Sequence, residues 1–158
     1  MEYSLEQAIN TFKLVIGFIL IILAIFFWVY SSQRDMVNEI TANFAERVRY
    51  EGYIDKDMYE TFMNQVSIAP YRVMFRHVSY NIDKSGRKVE TVFTEKDIID
   101  KIYSSTGIYK MKKGDDFVVV VSELQPSAFQ ALMQSITKSP AKYGVIASKG
   151  GMVFDDTN

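Results

Sequence analysis

Hydrophobic and polar positions fall into three regimes along the chain. From Leu14 to Tyr30, LVIGFILIILAIFFWVY, every residue is apolar or glycine, and no charge lies between Lys13 and Arg34. A helix of about 20 uncharged residues spans roughly 30 Å, the thickness of a bilayer's hydrocarbon core. Trp28 and Tyr30 stand at its C-terminal end, where aromatic rings with a polar tip favour the lipid–water boundary. From Arg34 the pattern becomes one-sided: Val37, Ile40, Phe44 and Val48 recur at helical spacing with Ala45 beside them, and polar residues fill the other positions. Gly17 is the only helix breaker between Leu5 and Tyr50, and Gly52 supplies a stop. The spacing predicts one helix of about 45 residues, roughly 70 Å long.

Beyond Asp55 helical and strand patterns alternate. Asp55 is a predicted N-cap for a helix to Val66, with Tyr59, Phe62, Met63 and Val66 on one face. Tyr71 to Ile82 reads as a strand, Asp83 to Gly86 as a turn and Lys88 to Phe93 as a second strand. Thr94 caps a helix with Asp97 at its third position, turning Ile98, Ile99, Ile102 and Tyr103 inward. The continuous run Phe117 to Val121 predicts a central strand covered on both faces. A helix beginning at Pro126 and Ser127 places Phe129, Leu132, Met133 and Ile136 together. Tyr143 to Ala147 reads as a strand, Gly150-Gly151 as a tight turn, Met152 to Phe154 as a short strand and the last four residues as a frayed tail. The expected fold is α+β: a long N-terminal helix, half membrane-spanning and half amphipathic, in residues 1–52, then a small head in 53–158 with a mostly antiparallel or mixed sheet.

Composition narrows the chemistry. The chain has 158 residues, no Cys, one His and a net charge of −1. That excludes a disulfide scaffold, a thiolate metal site and a cysteine nucleophile, and it argues against a nucleic-acid partner. His77 shares strand parity with Val73 and Phe75, which predicts a structural histidine near the buried face. Asp115 and Asp116 follow Gly114 without the ligand spacing of a calcium loop and read as a polar turn. The lysines at 110, 112 and 113 are offset by nearby acids and read as a solvated turn. No phosphate loop, dinucleotide fingerprint or nucleophile elbow occurs, so no enzyme, cofactor or metal is expected.

The apolar run could also be a cleaved signal or a buried core helix, but Glu2 and Glu6 are wrong for a basic leader and a core helix keeps a wet side. Counting only Lys and Arg leans weakly towards a cytoplasmic C-terminal side. Within the run Gly17 and Ala24 are seven residues apart, on one face where another helix could approach closely. Glu2 and Glu6 suit a helix N-terminus through its dipole; alternatively, one of them neutralises the N-terminal amine of a neighbouring subunit.

A polar stub carrying Glu6, a greasy helix, an amphipathic continuation and an α+β head make an organisation that resembles type IV pilin-like proteins. In particular it resembles the TadE-like and pseudopilin proteins of secretion or conjugation systems. The local resemblance is carried by Val48-Arg49-Tyr50-Glu51-Gly52-Tyr53-Ile54 with Tyr59 and Phe62, and by Lys113-Gly114-Asp115-Asp116-Phe117-Val118-Val119-Val120. The family's glycine before the cleavage site is absent, and Glu6 falls at the family's fifth position only if Glu2 is counted first. The resemblance implies an extracytoplasmic head and a structural subunit whose N-terminal helices bundle into a surface filament. The alternative is a single-pass accessory protein of such an apparatus that binds a partner protein without polymerising. The expected partners are copies of the chain, membrane lipid and assembly-machinery proteins. The residues expected to act in assembly or membrane insertion are Glu2, Glu6, Lys13, Leu14, Gly17, Phe18, Ile21, Ala24, Ile25, Trp28 and Tyr30.

Overall fold

The computed structural model describes residues 2–140 and 144–154, with side chains from Ser4 onward. The element order is α1 (Glu2–Glu51), β1 (Tyr53–Asp55), α2 (Lys56–Val66), β2 (Tyr71–Ile82), β3 (Lys88–Thr94), α3 (Glu95–Ile102), β4 (Ile108–Lys110), β5 (Asp116–Glu123), α4 (Ala128–Thr137) and β6 (Val145–Met152). The α+β class and the single long N-terminal helix stand as the sequence pattern predicts. The expected strand start at Tyr143 and the tail Asp155–Asn158 lie outside the described residues.

Contacts gather the chain into two compact units: Met1–Arg34 with Pro126–Lys142, and Asp35–Gln125 with Tyr143–Asn158. Residues 35–51 thus group with the sheet, and α4 groups with the apolar half of α1.

In the second unit the amphipathic half of α1 supplies the core. Val37, Thr41, Phe44, Ala45 and Val48 are buried in one stripe. Thr41 is the polar member of that stripe, and its hydroxyl donates to the Val37 carbonyl at 2.6 Å, so it carries no unsatisfied donor inward. Phe44 joins the layers: its ring stacks on Phe62 of α2 at 4.2 Å and meets Phe75 of β2 and Phe117 of β5 edge-on at 5.9 and 6.3 Å.

The main sheet is antiparallel throughout, in the order β3-β2-β5-β6, and β1 and β4 form a separate antiparallel pair. These two three-residue strands escape a periodicity reading because they are too short to show an alternation. The caps follow the sequence. Asp55 accepts from the Met58 N–H at 2.7 Å, and Thr94 with Asp97 forms a capping box.

Three expectations change. β5 is internal in the sheet but not covered evenly: Phe117, Val119 and Val121 are buried while Val118 and Val120 are half-buried. An antiparallel sheet packed on one face alternates in this way, and the β-branched run concealed that alternation. Tyr103 is 53% exposed, because α3 ends at Ile102 and Tyr103, as the C-cap, leaves the inward face. Gly150 and Gly151 form no turn; they lie inside β6 opposite Val118 and Phe117. A Cβ on Gly150 would run into the Phe117 carbonyl oxygen, so glycine here permits close strand approach. Arg49 of α1 holds the same strand: its Nε donates to the Met152 carbonyl at 3.0 Å, its carbonyl accepts from the Phe154 N–H at 2.8 Å, and its guanidinium lies 4.6 Å from the Phe154 ring centre.

Phe44→Ala should lower stability by about 3–5 kcal/mol, the usual cost of truncating a buried aromatic, whereas the exposed Glu39→Ala should stay within about 0.5 kcal/mol. Urea unfolding of the full chain in detergent, followed by near-ultraviolet circular dichroism, checks both.

Candidate functional site

Two features outside the ordinary core bear on function: the apolar half of α1 and a polar cluster buried in the second unit.

In the first unit the described residues include one helix long and apolar enough to cross a membrane. Its apolar segment has no buried residue: Leu14 is 74% exposed and Trp28 70% exposed, and Phe18, Ile21 and Ile25 are also open. At 100° per residue Leu14, Gly17, Phe18, Ile21, Ala24, Ile25 and Trp28 share one face of the helix. A Cβ built on Gly17 would have nothing within 4 Å, so that face is bare at its narrowest point. Glu6 and Lys13 are exposed on the turns before the apolar segment, and the Glu2 side chain lies outside the described residues.

Tyr30 does not belong to this face. It turns to another side of α1 with Phe27, where both rings meet Phe129 of α4, at 5.4 Å for Phe27 and 5.7 Å for Tyr30. Gln130 Nε2 donates to the Tyr30 hydroxyl at 3.0 Å and Arg34 Nη1 donates to it at 3.3 Å. The face bearing Gly17 and Ala24 and the side occupied by α4 are therefore distinct. The periodicity of the Phe129 helix placed its apolar residues together but could not say what they meet.

The second feature centres on His77 of β2. Its exposure is 3%, and that of Asp115, just ahead of β5, is 2%. His77 Nε2 lies 2.9 Å from Asp115 Oδ2, and Nδ1 lies 2.7 Å from the Tyr109 hydroxyl. Asp115 also accepts the Lys112 N–H at 2.9 Å and the Tyr80 N–H at 3.3 Å. Burial opposes ionisation of Asp115, but the bonds from the Lys112 N–H, His77, Ser79 and the Tyr80 N–H outweigh it and hold the carboxyl below the usual range. Burial pushes the Tyr109 phenol well above its usual range, with the nearby charges of Asp97 and Asp115 adding to the effect. The phenol therefore keeps its proton and stays a neutral hydrogen-bond partner for the His77 ring. His77 also stacks on Phe93 at 5.1 Å.

Beside this cluster lies a cavity of about 530 Å³, lined by Ser79, Asn81, Phe93, Ile108 and the lysines at 101, 110 and 112 among others. Both imidazole nitrogens are engaged within the cluster, so His77 presents no uncommitted nitrogen to a ligand. Among the described residues no group of three His, Cys, Asp or Glu could hold a metal ion. The arrangement ties β2, β4 and the turn before β5 together, as suits a structural histidine. The buried role of Asp115 was not legible in the sequence, because its partner is 38 positions away and an aspartate after a glycine looks like any turn. No protein-family model, curated protein or solved structure matches this chain.

Asp115 has a lowered folded-state pKa, so its contribution to stability is complete above the ordinary aspartate value, about 3.9, and is lost as pH falls through its depressed folded value. The unfolding midpoint of the wild type should therefore drop on acidification below that range. Asp115→Asn should be less stable at neutral pH, by roughly 1–3 kcal/mol, and should show a shallower acid dependence. Urea midpoints measured across the acid range compare the two.

Proposed function

We propose that the chain is a non-enzymatic, single-pass membrane protein of pilin-like organisation, held in the bilayer by residues 14–30 and assembling through them with copies of itself. One observation carries the reading. The face bearing Leu14, Gly17, Phe18, Ile21, Ala24, Ile25 and Trp28 is exposed throughout its length, while the amphipathic continuation from Val37 to Val48 is consumed in the core of its own unit. A bare apolar face of this length is stable only in lipid or against other apolar helices. Gly17 and Ala24 would let such a partner approach closely. Glu6 lies where it could pair with a neighbour's N-terminal amine and set the axial register, and the head would lie outside the cytoplasm.

The second reading, an accessory protein of a secretion or conjugation apparatus that stays in the membrane as a protomer, is favoured by α4. That helix already covers the Phe27 and Tyr30 side of α1 and so leaves less of it free for bundling.

Cells expressing the apparatus are sheared and the detergent-free supernatant is examined for fibres by immunoelectron microscopy. Fibres containing the chain support assembly, and retention of all the protein in membranes supports the second reading. Gly17→Ile should reduce disulfide crosslinking through a Phe18→Cys reporter several-fold if the small-residue face is the contact. An unchanged crosslinking yield would rule that face out.

A further inference from the structure

We propose that α4 is a membrane-interface helix: its apolar side lies in the headgroup boundary of the lipid surface that α1 enters. The proposal rests on the reading of α1 as a membrane span and adds a second, in-plane contact with the same bilayer.

The sequence of α4, AFQALMQSIT, holds no charge. Phe129, Leu132, Met133 and Ile136 recur at helical spacing on one side, and Gln134 and Ser135 lie away from it. Such a helix in a water-soluble fold would bury that side. Here no residue of α4 is buried, and Ile136 is 57% exposed. Within its own unit α1 meets Phe129 and leaves Phe129, Leu132 and Met133 only half-buried, so the Ile136 end of the apolar side stays open.

Its level along α1 identifies the cover. Phe129 rests on Phe27 and Tyr30, at the C-terminal end of the apolar run and one turn before Arg34. Tyr30 has the two-natured environment of an interfacial aromatic: its ring packs on Phe129, while its hydroxyl receives hydrogen bonds from Gln130 and Arg34. From Phe27 to Arg34 the helix rises about 10 Å, the depth over which amphipathic helices embed in the headgroup region. The backbone of α4 is also prepared for a poorly hydrated site. Ser127 and Gln130 close a capping box at its N-terminus, and Lys138 in the left-handed conformation caps the other end, donating its N–H to the Gln134 carbonyl at 2.8 Å. Lys138 is the first charge after the helix, the residue type that anionic headgroups attract at an interface.

Unlike α1, whose Gly17 and Ala24 let a partner helix approach closely, the apolar side of α4 carries only the bulky Phe129, Leu132, Met133 and Ile136, which suit acyl chains. The contact of Phe129 with Phe27 and Tyr30 places α4 beside the C-terminal end of the apolar segment, the level at which a spanning α1 would leave the hydrocarbon for the headgroups.

The chain has no cysteine and one tryptophan, so two reporters can be read independently. Full-length Ile136→Cys and Gln134→Cys variants, each carrying an environment-sensitive fluorophore, are reconstituted in phosphatidylcholine–phosphatidylglycerol vesicles containing brominated lipid. The Trp28 emission of the unlabelled chain reports on α1. The expected result is quenching of Trp28, with a blue-shifted label at position 136 quenched by bromolipid at least about twofold more than the label at 134. Quenching of Trp28 with the label at 136 open to aqueous iodide overturns the interface helix and leaves the span intact. A label at 136 shielded from both bromolipid and iodide overturns it in favour of a protein cover. Failure of Trp28 itself to be quenched removes the membrane reading and this proposal together.

Discussion

A peptide group carries a donor and an acceptor that hydrocarbon cannot satisfy, and the run from Leu14 to Tyr30 is long and apolar enough to cross a membrane. The continuous backbone hydrogen bonding of a helix meets both conditions at once, and much else in the structure follows from it. Because α1 runs unbroken from Glu2 to Glu51, the residues after the apolar segment meet the sheet as a continuation of the same helix. A helix can give a core only one stripe, so Val37, Thr41, Phe44, Ala45 and Val48 supply it, and α2 and the sheet build upon them. Arg49, on the last turn, then catches the C-terminal strand through Met152 and Phe154.

The two halves of α1 therefore do different physical work with similar side chains. In the second unit apolar area is removed from water by other parts of the same chain, and stability follows from burial and close packing. In the first unit the apolar surface stays uncovered apart from the contact with α4. Its free energy is recovered only when lipid or another apolar helix meets it. The geometry keeps the face of Gly17 and Ala24 apart from the side that holds α4.

The buried cluster at His77 contributes specificity of a different kind. A histidine with both nitrogens engaged, an aspartate supported by two backbone donors and a protonated tyrosine leave little freedom in how β2, β4 and the turn before β5 meet. Low surrounding polarity strengthens these bonds and makes the loss of any one of them costly. The adjoining cavity is bordered by this cluster and by the lysines at 101, 110 and 112.

Local pattern was enough to define α1, the caps at Asp55 and Thr94, the strands from Tyr71 to Ile82 and from Lys88 to Phe93, and the membrane-length run, because helical and strand periodicity and side-chain capping are properties of neighbours in sequence. Tertiary structure alone decided what joins residues distant along the chain. It sent α4 to the apolar half of α1 instead of to the sheet. It made Gly150 and Gly151 part of a strand, because the Phe117 backbone passes too close for a side chain. It converted Asp115 from a turn residue into the partner of His77. In each case the deciding contact spans tens of residues, and no local propensity encodes which distant surface will be opposite once the chain has closed.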